Sequence, residues 1–196
     1  MISVLTKAYG EPPVCEKEIL RYAGVKVADE ATYALMKSCL NETQGIFTYN
    51  ACYCVTDILV SDEICDFGFF SVKSKSLAKN LSGCSSAVIF AATVGIALDR
   101  LISKYTRIAP SKALMLQAIG AERIEALCDL FSKDIESILN TKLRSRYSAG
   151  YGDTPIEVQK DIFRVLDTSR KIGISLSDSM LMSPTKSVTA FIGIEK

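Results

Sequence analysis

The segment from Arg146 to Pro155 reads Arg-Tyr-Ser-Ala-Gly-Tyr-Gly-Asp-Thr-Pro and combines residue types that can hold a small ligand bearing a carboxylate. The planar guanidinium of Arg146 can donate two parallel hydrogen bonds to a carboxylate. Tyr147 and Tyr151 offer flat faces for a purine or for a sulfonium cation. The segment therefore predicts a binding site for such a ligand.

The residues after this segment carry the pattern of a helix start. Thr154, Pro155 and Glu157 match a capping box, with threonine at the cap, proline at the first helical position and glutamate at the third. The N-terminus of a helix attracts anions, because its first N–H groups lack partners and the helix dipole is positive there. We expect the loop 150–153 to lie at an anion site, with Arg146 at the end of a strand just upstream.

The same loop also has a purely structural interpretation. Gly-x-Gly before a helix is common, and Arg146 would then simply pair with Asp153 on the surface. The loop has neither the Walker pattern nor Gly-x-Gly-x-x-Gly. Nucleoside triphosphates, a Rossmann dinucleotide site and the usual glycine-rich methyltransferase fold are therefore disfavoured.

The chain contains no histidine. A Ser-His-Asp or Cys-His nucleophile is thereby excluded, as is ligation of a metal by imidazole. The seven cysteines are scattered without a Cys-x-x-Cys pair, which favours buried, reduced thiols. Cys52 and Cys54 would share one face of a strand, but a zinc site there would lack a second pair of ligands. We predict no catalytic residue and no metal site.

Length and composition limit the remaining classes of function. The 196 residues fit one domain, residues 1–196, and no Pro/Gly/Ser-rich linker divides them. The net charge is +1 with dispersed lysines and arginines, so no nucleic acid partner is expected. The most apolar run, residues 87–94, is too short to span a bilayer, and the N-terminus does not resemble a signal peptide. A cytoplasmic location, away from membranes, is expected.

Two helices are predicted in an N-terminal helical part, residues about 12–42. The first follows Pro12-Pro13 and ends at Gly24, and the second is capped by Asp29 and ends near Leu40. Their predicted inward stripes are Cys15, Ile19 and Tyr22 in the first helix, and Tyr33, Met36 and Leu40 in the second.

The middle of the chain predicts strands and helices without a regular βαβ rhythm. Alternation over residues 47–55 indicates a strand, with residues 64–72 as its partner across a turn at 61–63. Ser76 is expected to cap a short helix that Gly83 ends. Residues 87–93 form a continuous apolar run, typical of a buried strand.

The second half predicts two more helices. One follows Gly95, and a long one begins at Pro110 and ends near Leu139, with a core stripe of Ile124, Leu127, Phe131, Ile135 and Ile138. Gly120 inside the long helix predicts the close approach of another element or a ligand. The fold class is α+β, a mostly antiparallel twisted sheet flanked by helices.

The segment at 146–155, together with residues 177–189, resembles the activation domain of cobalamin-dependent methionine synthase. In that family an Arg-x-x-x-Gly-Tyr segment followed by a proline lines the S-adenosylmethionine pocket. The matching positions here are Arg146, Gly150, Tyr151 and Pro155. Ser148 stands at a position where the backbone contacts the adenosine in the family. Glu125, followed by Ala126, is similar to a glutamate that contacts the ligand in the family.

A second family pattern, Ser-x-x-Met-x-Pro-x-x-Ser-Val, is met by Ser179, Met182, Pro184, Ser187 and Val188. The stretch 74–81 resembles stand-alone relatives. Thr154 stands where the long enzymes have a cysteine, and a tyrosine that they place after the Ser-Val-Thr strand would fall beyond Lys196. These departures predict weak or lost affinity for S-adenosylmethionine.

The resemblance implies a reactivation subunit that binds S-adenosylmethionine through Glu125, Arg146, Ser148, Gly150 and Tyr151. Its partner would be a corrinoid-binding protein or a truncated methionine synthase acting in trans, which would supply the cobalamin. The electron donor would be of the flavodoxin or ferredoxin type. One alternative is a non-enzymatic docking protein that caps a corrinoid protein without using S-adenosylmethionine. Another is an independent methyltransferase, with Glu125 and Asp153 as its only candidate bases.

Overall fold

A four-stranded antiparallel sheet forms the centre of the computed structural model, which describes residues 3–195. With strands numbered along the chain, its order is β1-β2-β6-β9. The bounds are Leu5–Tyr9 for β1, Tyr49–Asp57 for β2, Ser86–Thr93 for β6 and Ser187–Ile194 for β9. Residues 87–93 of β6 are all buried, because both faces of the sheet are covered, and the predicted strand at this run is confirmed.

Helix α5, Pro110–Leu139, covers one face of the sheet and confirms the predicted long helix. Its Phe131 ring stacks on Phe90 with centroids 4.6 Å apart and meets the Tyr53 ring edge-on at 5.4 Å. Such aromatic pairs add stabilisation beyond the apolar area they bury. Four members of the predicted stripe are buried, but Ile138 is 57% exposed, and the neighbouring Leu139 packs against the core instead.

Three shorter helices cover the opposite face. They are α3 (Lys75–Asn80), α6 (Val158–Leu166) and α7 (Thr168–Ile172). A small antiparallel sheet lies beside them, formed by β3 (Leu59–Ser61), β4 (Ile64–Asp66) and β5 (Ser71–Lys73). The prediction that residues 64–72 pair with the strand at 47–55 is wrong, because β1 and β6 occupy both edges of β2.

The remaining helices pack on the N-terminal half of α5. They are α1 (Glu16–Tyr22), α2 (Glu30–Glu42) and α4 (Ala97–Tyr105). A Cβ atom on Gly120 of α5 would collide with Leu98, and it would lie 2.9 Å from the side chain of Lys186. The close approach predicted at this glycine is therefore confirmed.

Several local predictions need correction. Cys15, Tyr22 and Tyr33 are exposed rather than inward, since α1 and α2 each bury a narrow stripe against α5. The cap of α3 is Ser74, whose hydroxyl accepts a hydrogen bond from the Leu77 N–H, and not Ser76. The cap of α2 is Asp29, as predicted.

Candidate functional site

A cavity of about 770 Å³ lies along the outer edge of β9. Its walls come from the outer side of α5, the irregular segment 143–151, the start of α6 and a two-stranded ribbon, β7 (Ser175–Leu176) with β8 (Met182–Ser183). The volume lies in the range of pockets that enclose ligands of a few hundred daltons. The lining residues are Glu125, Ser132, Glu136, Leu143, Arg144, Ser145, Arg146, Tyr147, Ser148, Ala149, Tyr151, Gln159, Met182, Ser187, Val188 and Thr189.

The backbone of segment 143–147 continues the sheet beyond β9. The Tyr147 N–H donates to the Phe191 carbonyl at 2.9 Å, and the Phe191 N–H donates back to the Tyr147 carbonyl at 2.8 Å. The Arg144 N–H donates to the Gly193 carbonyl at 2.8 Å. Neighbouring residues of an extended segment point to opposite faces. Tyr147 therefore packs with the α6 side of the sheet, and Arg146 reaches toward α5.

The guanidinium of Arg146 holds two carboxylates of α5. It donates to Asp129 at 2.7 Å and to Glu125 at 2.9 Å. Burial by itself lowers the pKa of Arg146, but the hydrogen bond to Asp129 and the charges of neighbouring groups together outweigh this effect, and the pKa is raised. The cavity wall thus contains a permanent cation, Arg146, beside the Glu125 carboxylate. The surface salt bridge between Arg146 and Asp153 considered above is not formed.

The predicted capping box at Thr154 is wrong. Helix α6 begins at Val158, its N-cap residue is Glu157, and no side chain caps it. The Thr154 hydroxyl, which is buried, donates instead to the Ser74 hydroxyl at 2.7 Å. The Gly150, Tyr151 and Thr154 N–H groups donate to carbonyls inside the loop. These three N–H groups already have partners, and the loop ends four residues before α6 begins, so it does not lie directly at the N-terminus of this helix as expected.

Asp153 joins the loop to the N-terminus of α3. Its carboxylate accepts hydrogen bonds from the Ser74 hydroxyl at 2.7 Å, the Lys75 N–H at 2.8 Å and the Ser76 N–H at 3.0 Å. The bonds from Ser74 and Ser76 hold the pKa of Asp153 well below its usual value. Gly152 permits this approach, because a Cβ there would lie 2.8 Å from the Ser76 hydroxyl.

The Asp153 contacts predict a pH-dependent contribution to stability. Since the folded-state pKa is depressed, the contribution is fully present above the unfolded pKa of about 3.9 and is lost as the pH falls through the folded value. Asp153→Asn should therefore unfold at lower urea than the wild type from pH 7 to 5, and the gap should narrow below about pH 4. Urea titrations at several pH values measure this gap. Asp178→Asn is the control, because exposed Asp178 has no hydrogen bond or ion pair within residues 3–195; an equal gap for both variants would contradict the prediction.

Four of the five predicted site residues line the cavity: Glu125, Arg146, Ser148 and Tyr151. Gly150 does not line it. Its φ of +87° and the 2.8 Å separation that a Cβ would have from Ile156 show that it shapes the loop instead. Of the later motif, Met182, Ser187 and Val188 also line the cavity.

Residues 73–196 match the family model described as vitamin B12 dependent methionine synthase, activation domain. The chain belongs to this family. The resemblance predicted from the two motifs is thereby confirmed, and the family match begins just before α3. No curated protein matches the chain.

The fold of this activation domain is similar to that in a solved structure titled "Crystal Structure of the MetH Reactivation Domain bound to AdoHcy". The TM-score is 0.70 at 12% sequence identity, and the alignment covers 98% of this chain and 78% of that one. The α+β class, an antiparallel sheet with flanking helices, is therefore confirmed. The structural likeness includes the N-terminal helices α1 and α2, which precede the family match.

Two polar residues of the activation domain's cavity were not predicted. Gln159 is 6% exposed and Thr189 is 2% exposed, and the Gln159 Oε1 and Thr189 Oγ1 atoms have no hydrogen-bond partner. The sequence did carry a signal for Gln159, since it lies three residues before Ile162 and seven before Leu166, on the buried stripe of α6. A polar residue on such a stripe needs a partner from elsewhere.

The cysteines and carboxylates are the possible metal ligands of the activation domain. Within residues 3–195, no three His, Cys, Asp or Glu side chains come together as a metal site. Burial raises the pKa of the Cys52 thiol to about 12 and that of Cys54 to about 11, so both remain protonated at neutral pH. Across the same residues, no helix has the length and apolar character to cross a bilayer.

Proposed function

We propose that this activation domain binds S-adenosylmethionine in the cavity beside β9 and acts in trans on a corrinoid carried by a separate protein. The observation that supports it is the ion pair of Arg146 with Glu125 in the wall of a cavity of about 770 Å³, with Asp129 bonded to the same guanidinium beside it in one charge cluster. The relative titled as bound to AdoHcy has the same fold. AdoHcy, S-adenosylhomocysteine, is the demethylated form of this ligand.

The cluster fits the amino-acid end of the ligand. That end is a zwitterion with one carboxylate and one ammonium group. The Arg146 guanidinium has five N–H donors, of which two hold Glu125 and Asp129, so donors remain for a ligand carboxylate. The Glu125 side chain is 45% exposed, and its carboxylate can accept from the ammonium group. Ser148 and Tyr151 lie along the same cavity, toward the nucleoside end.

The chemistry requires alignment rather than proton transfer. With one electron from a flavodoxin- or ferredoxin-type donor, the partner's cobalt becomes a nucleophile that takes the methyl group from the sulfonium. The C–S bond breaks, its electron pair stays on sulfur, and S-adenosylhomocysteine is released. The domain's residues hold the sulfonium ligand in one orientation and keep it at the surface facing the partner. A chain without histidine is compatible with this role.

The alternative of an independent methyltransferase loses its candidate bases. Asp153 caps α3 through three hydrogen bonds, and its pKa is lowered, which makes it a poor proton acceptor. Glu125 is paired with Arg146. Asp153 is thus engaged by the N-terminus of α3, and Glu125 by its ion pair.

A docking protein that no longer uses S-adenosylmethionine is the second candidate function. The observation that favours it is that the Arg146 guanidinium is already paired with two carboxylates, those of Glu125 and Asp129. Such a protein would cap a corrinoid protein through the same face without a small ligand. Calorimetry separates the two candidates.

Binding is tested by calorimetry with S-adenosylmethionine, S-adenosylhomocysteine, adenosine and methionine. We expect one site for the two sulfur nucleosides and weaker binding of each fragment, since neither fragment spans the cavity. Absence of heat with S-adenosylmethionine at millimolar concentration would overturn the binding proposal and leave the docking function.

Action in trans is a separate test. The chain, a reductant and methyl-labelled S-adenosylmethionine are added to an oxidised corrinoid protein. We expect the methylcobalamin absorbance to return and the label to appear on the corrinoid. If the chain binds the ligand but neither signal appears with any corrinoid partner supplied, action in trans is wrong while binding stands.

A further inference from the structure

Asp129 belongs to the charge cluster around Arg146 but does not line the cavity beside β9. It accepts a hydrogen bond from the Arg146 guanidinium at 2.7 Å, one turn of α5 after Glu125, which accepts from the same guanidinium at 2.9 Å. Glu125 lines the cavity beside β9, whereas Asp129 lines a neighbouring cavity of about 480 Å³ between α1 and α5. Asp129 therefore acts on a ligand in the cavity beside β9 through Arg146 and through its own charge.

The formal charges of this cluster do not balance. Arg146 carries one positive charge, and Glu125 and Asp129 carry one negative charge each. A ligand that brings one carboxylate and one ammonium group leaves the sum negative. Lys133, one turn after Asp129, is exposed and has no ion pair within residues 3–195, so water and salt screen its charge. The amino-acid end of the site thus keeps a surplus of negative charge when the ligand is bound.

The two forms of the ligand differ in charge close to this surplus. S-adenosylmethionine carries a sulfonium, whereas S-adenosylhomocysteine has a neutral sulfur. In both, two methylene groups separate the sulfur from the carbon that bears the carboxylate and the ammonium group. With that end on Arg146, the sulfur lies on the order of 10 Å from the Asp129 carboxylate, about one Debye length at 0.1 M salt. Because the Asp129 side chain is 63% exposed, the resulting attraction is modest and depends on salt.

We infer that Asp129 is a specificity-determining residue, whose charge makes the cavity favour the cationic methyl donor over its neutral product. This inference rests on the proposed function. Attraction to Asp129 stabilises the sulfonium before transfer. The attraction is lost when the methyl group leaves for the partner's cobalt and the electron pair of the C–S bond stays on sulfur. The product keeps its other contacts but not this one, so it exchanges more readily for another donor molecule.

The test measures the dissociation constants of S-adenosylmethionine and S-adenosylhomocysteine by calorimetry and compares their ratio between variants. Asp129→Asn removes the charge and keeps an oxygen that can accept from Arg146, whereas Asp129→Glu keeps the charge. We expect Asp129→Asn to reduce the preference for S-adenosylmethionine by about two- to fivefold at low salt, and Asp129→Glu to keep the wild-type ratio. At about 1 M salt, where the Debye length falls to about 3 Å, the ratios of the three proteins should converge.

The ratio separates the charge of Asp129 from a structural effect of its substitution. A changed orientation of Arg146 alters both affinities alike, because both ligands carry the same amino-acid end. An equal change of the two constants in Asp129→Asn, or no change in either, would therefore overturn this inference and leave the proposed function in place. If the wild type binds neither ligand, the proposed function and this inference fail together.

Discussion

Arg123→Met is expected to lower the free energy of unfolding by about 3–5 kcal/mol, the usual effect of breaking a buried ion pair on one side. Arg123 is 0% exposed and Glu122 is 3% exposed, and they are joined by hydrogen bonds of 2.5 and 2.6 Å. Methionine keeps most of the volume but leaves the Glu122 carboxylate buried without its cation. Urea unfolding followed by circular dichroism measures the change.

The position of this pair explains why the effect should be large. Arg123 also donates to the carbonyls of Pro12 and Pro13, at 2.6 and 2.7 Å, and Glu122 accepts from the Cys15 N–H at 3.0 Å. The pair therefore fixes the start of α1 against α5. In Arg123→Met the two proline carbonyls lose their donor as well, which adds to the penalty for the unpaired carboxylate.

Arg164→Met is the matched control. Arg164 pairs with Asp161 at 2.7 Å, but both side chains are exposed, so the loss should stay below about 1 kcal/mol. The double variant Glu122→Met with Arg123→Met should recover part of the loss, since it leaves no buried charge alone. A loss below about 1 kcal/mol in Arg123→Met would mean that the pair does not hold α1 in place.

Elements with a long periodic pattern were predicted correctly, and strand pairing was not. The core stripe of α5 and the apolar run of β6 follow from residues close together in the sequence. The partners of β2 do not, because β1 lies about forty residues earlier and β6 about thirty later. Residues 64–72 carry an equally good strand signal, but they form a local sheet with β3.

In the candidate site, too, features of neighbouring residues were predicted, and contacts between distant residues were not. The types of residue at 146–151 predicted a cavity with a cation, and Arg146, Ser148 and Tyr151 do line one. The capping box failed because the hydroxyl of Thr154 bonds to Ser74, eighty residues earlier. Arg146 pairs with Asp129 because segment 143–147 lies beside α5 in the folded chain. The pattern of neighbouring residues does not reveal this contact.

Arg146→Ala should weaken binding of S-adenosylhomocysteine by about 2–5 kcal/mol, which is at least about thirtyfold. The variant removes the cavity cation that we assign to the ligand carboxylate, and it leaves Glu125 and Asp129 to repel that carboxylate. Arg146→Lys should recover only part of the affinity, because an ammonium group cannot form the paired, planar hydrogen bonds of a guanidinium. Calorimetry at fixed salt measures both variants.

Arg144→Ala is the matched control, since Arg144 lines the same cavity and pairs with Glu195 at 3.1 Å. It should change the affinity by less than about threefold, as an exposed pair contributes little. Arg146→Ala should still fold, because the carboxylates that it leaves are 45% and 63% exposed and can be solvated.

Binding of adenosine shows whether Arg146→Ala loses affinity through its contacts with the amino-acid end of the ligand. Adenosine has no carboxylate, so the wild type and Arg146→Ala should bind it with equal affinity. The higher affinity for S-adenosylhomocysteine than for adenosine should disappear in the variant. If Arg146→Ala instead weakens adenosine as much as S-adenosylhomocysteine, Arg146 acts by shaping the cavity, and the charge cluster is not the contact for the zwitterion. If neither affinity changes, the ligand binds elsewhere, because a cation in contact with the carboxylate cannot be removed from a partly buried cavity without a measurable loss.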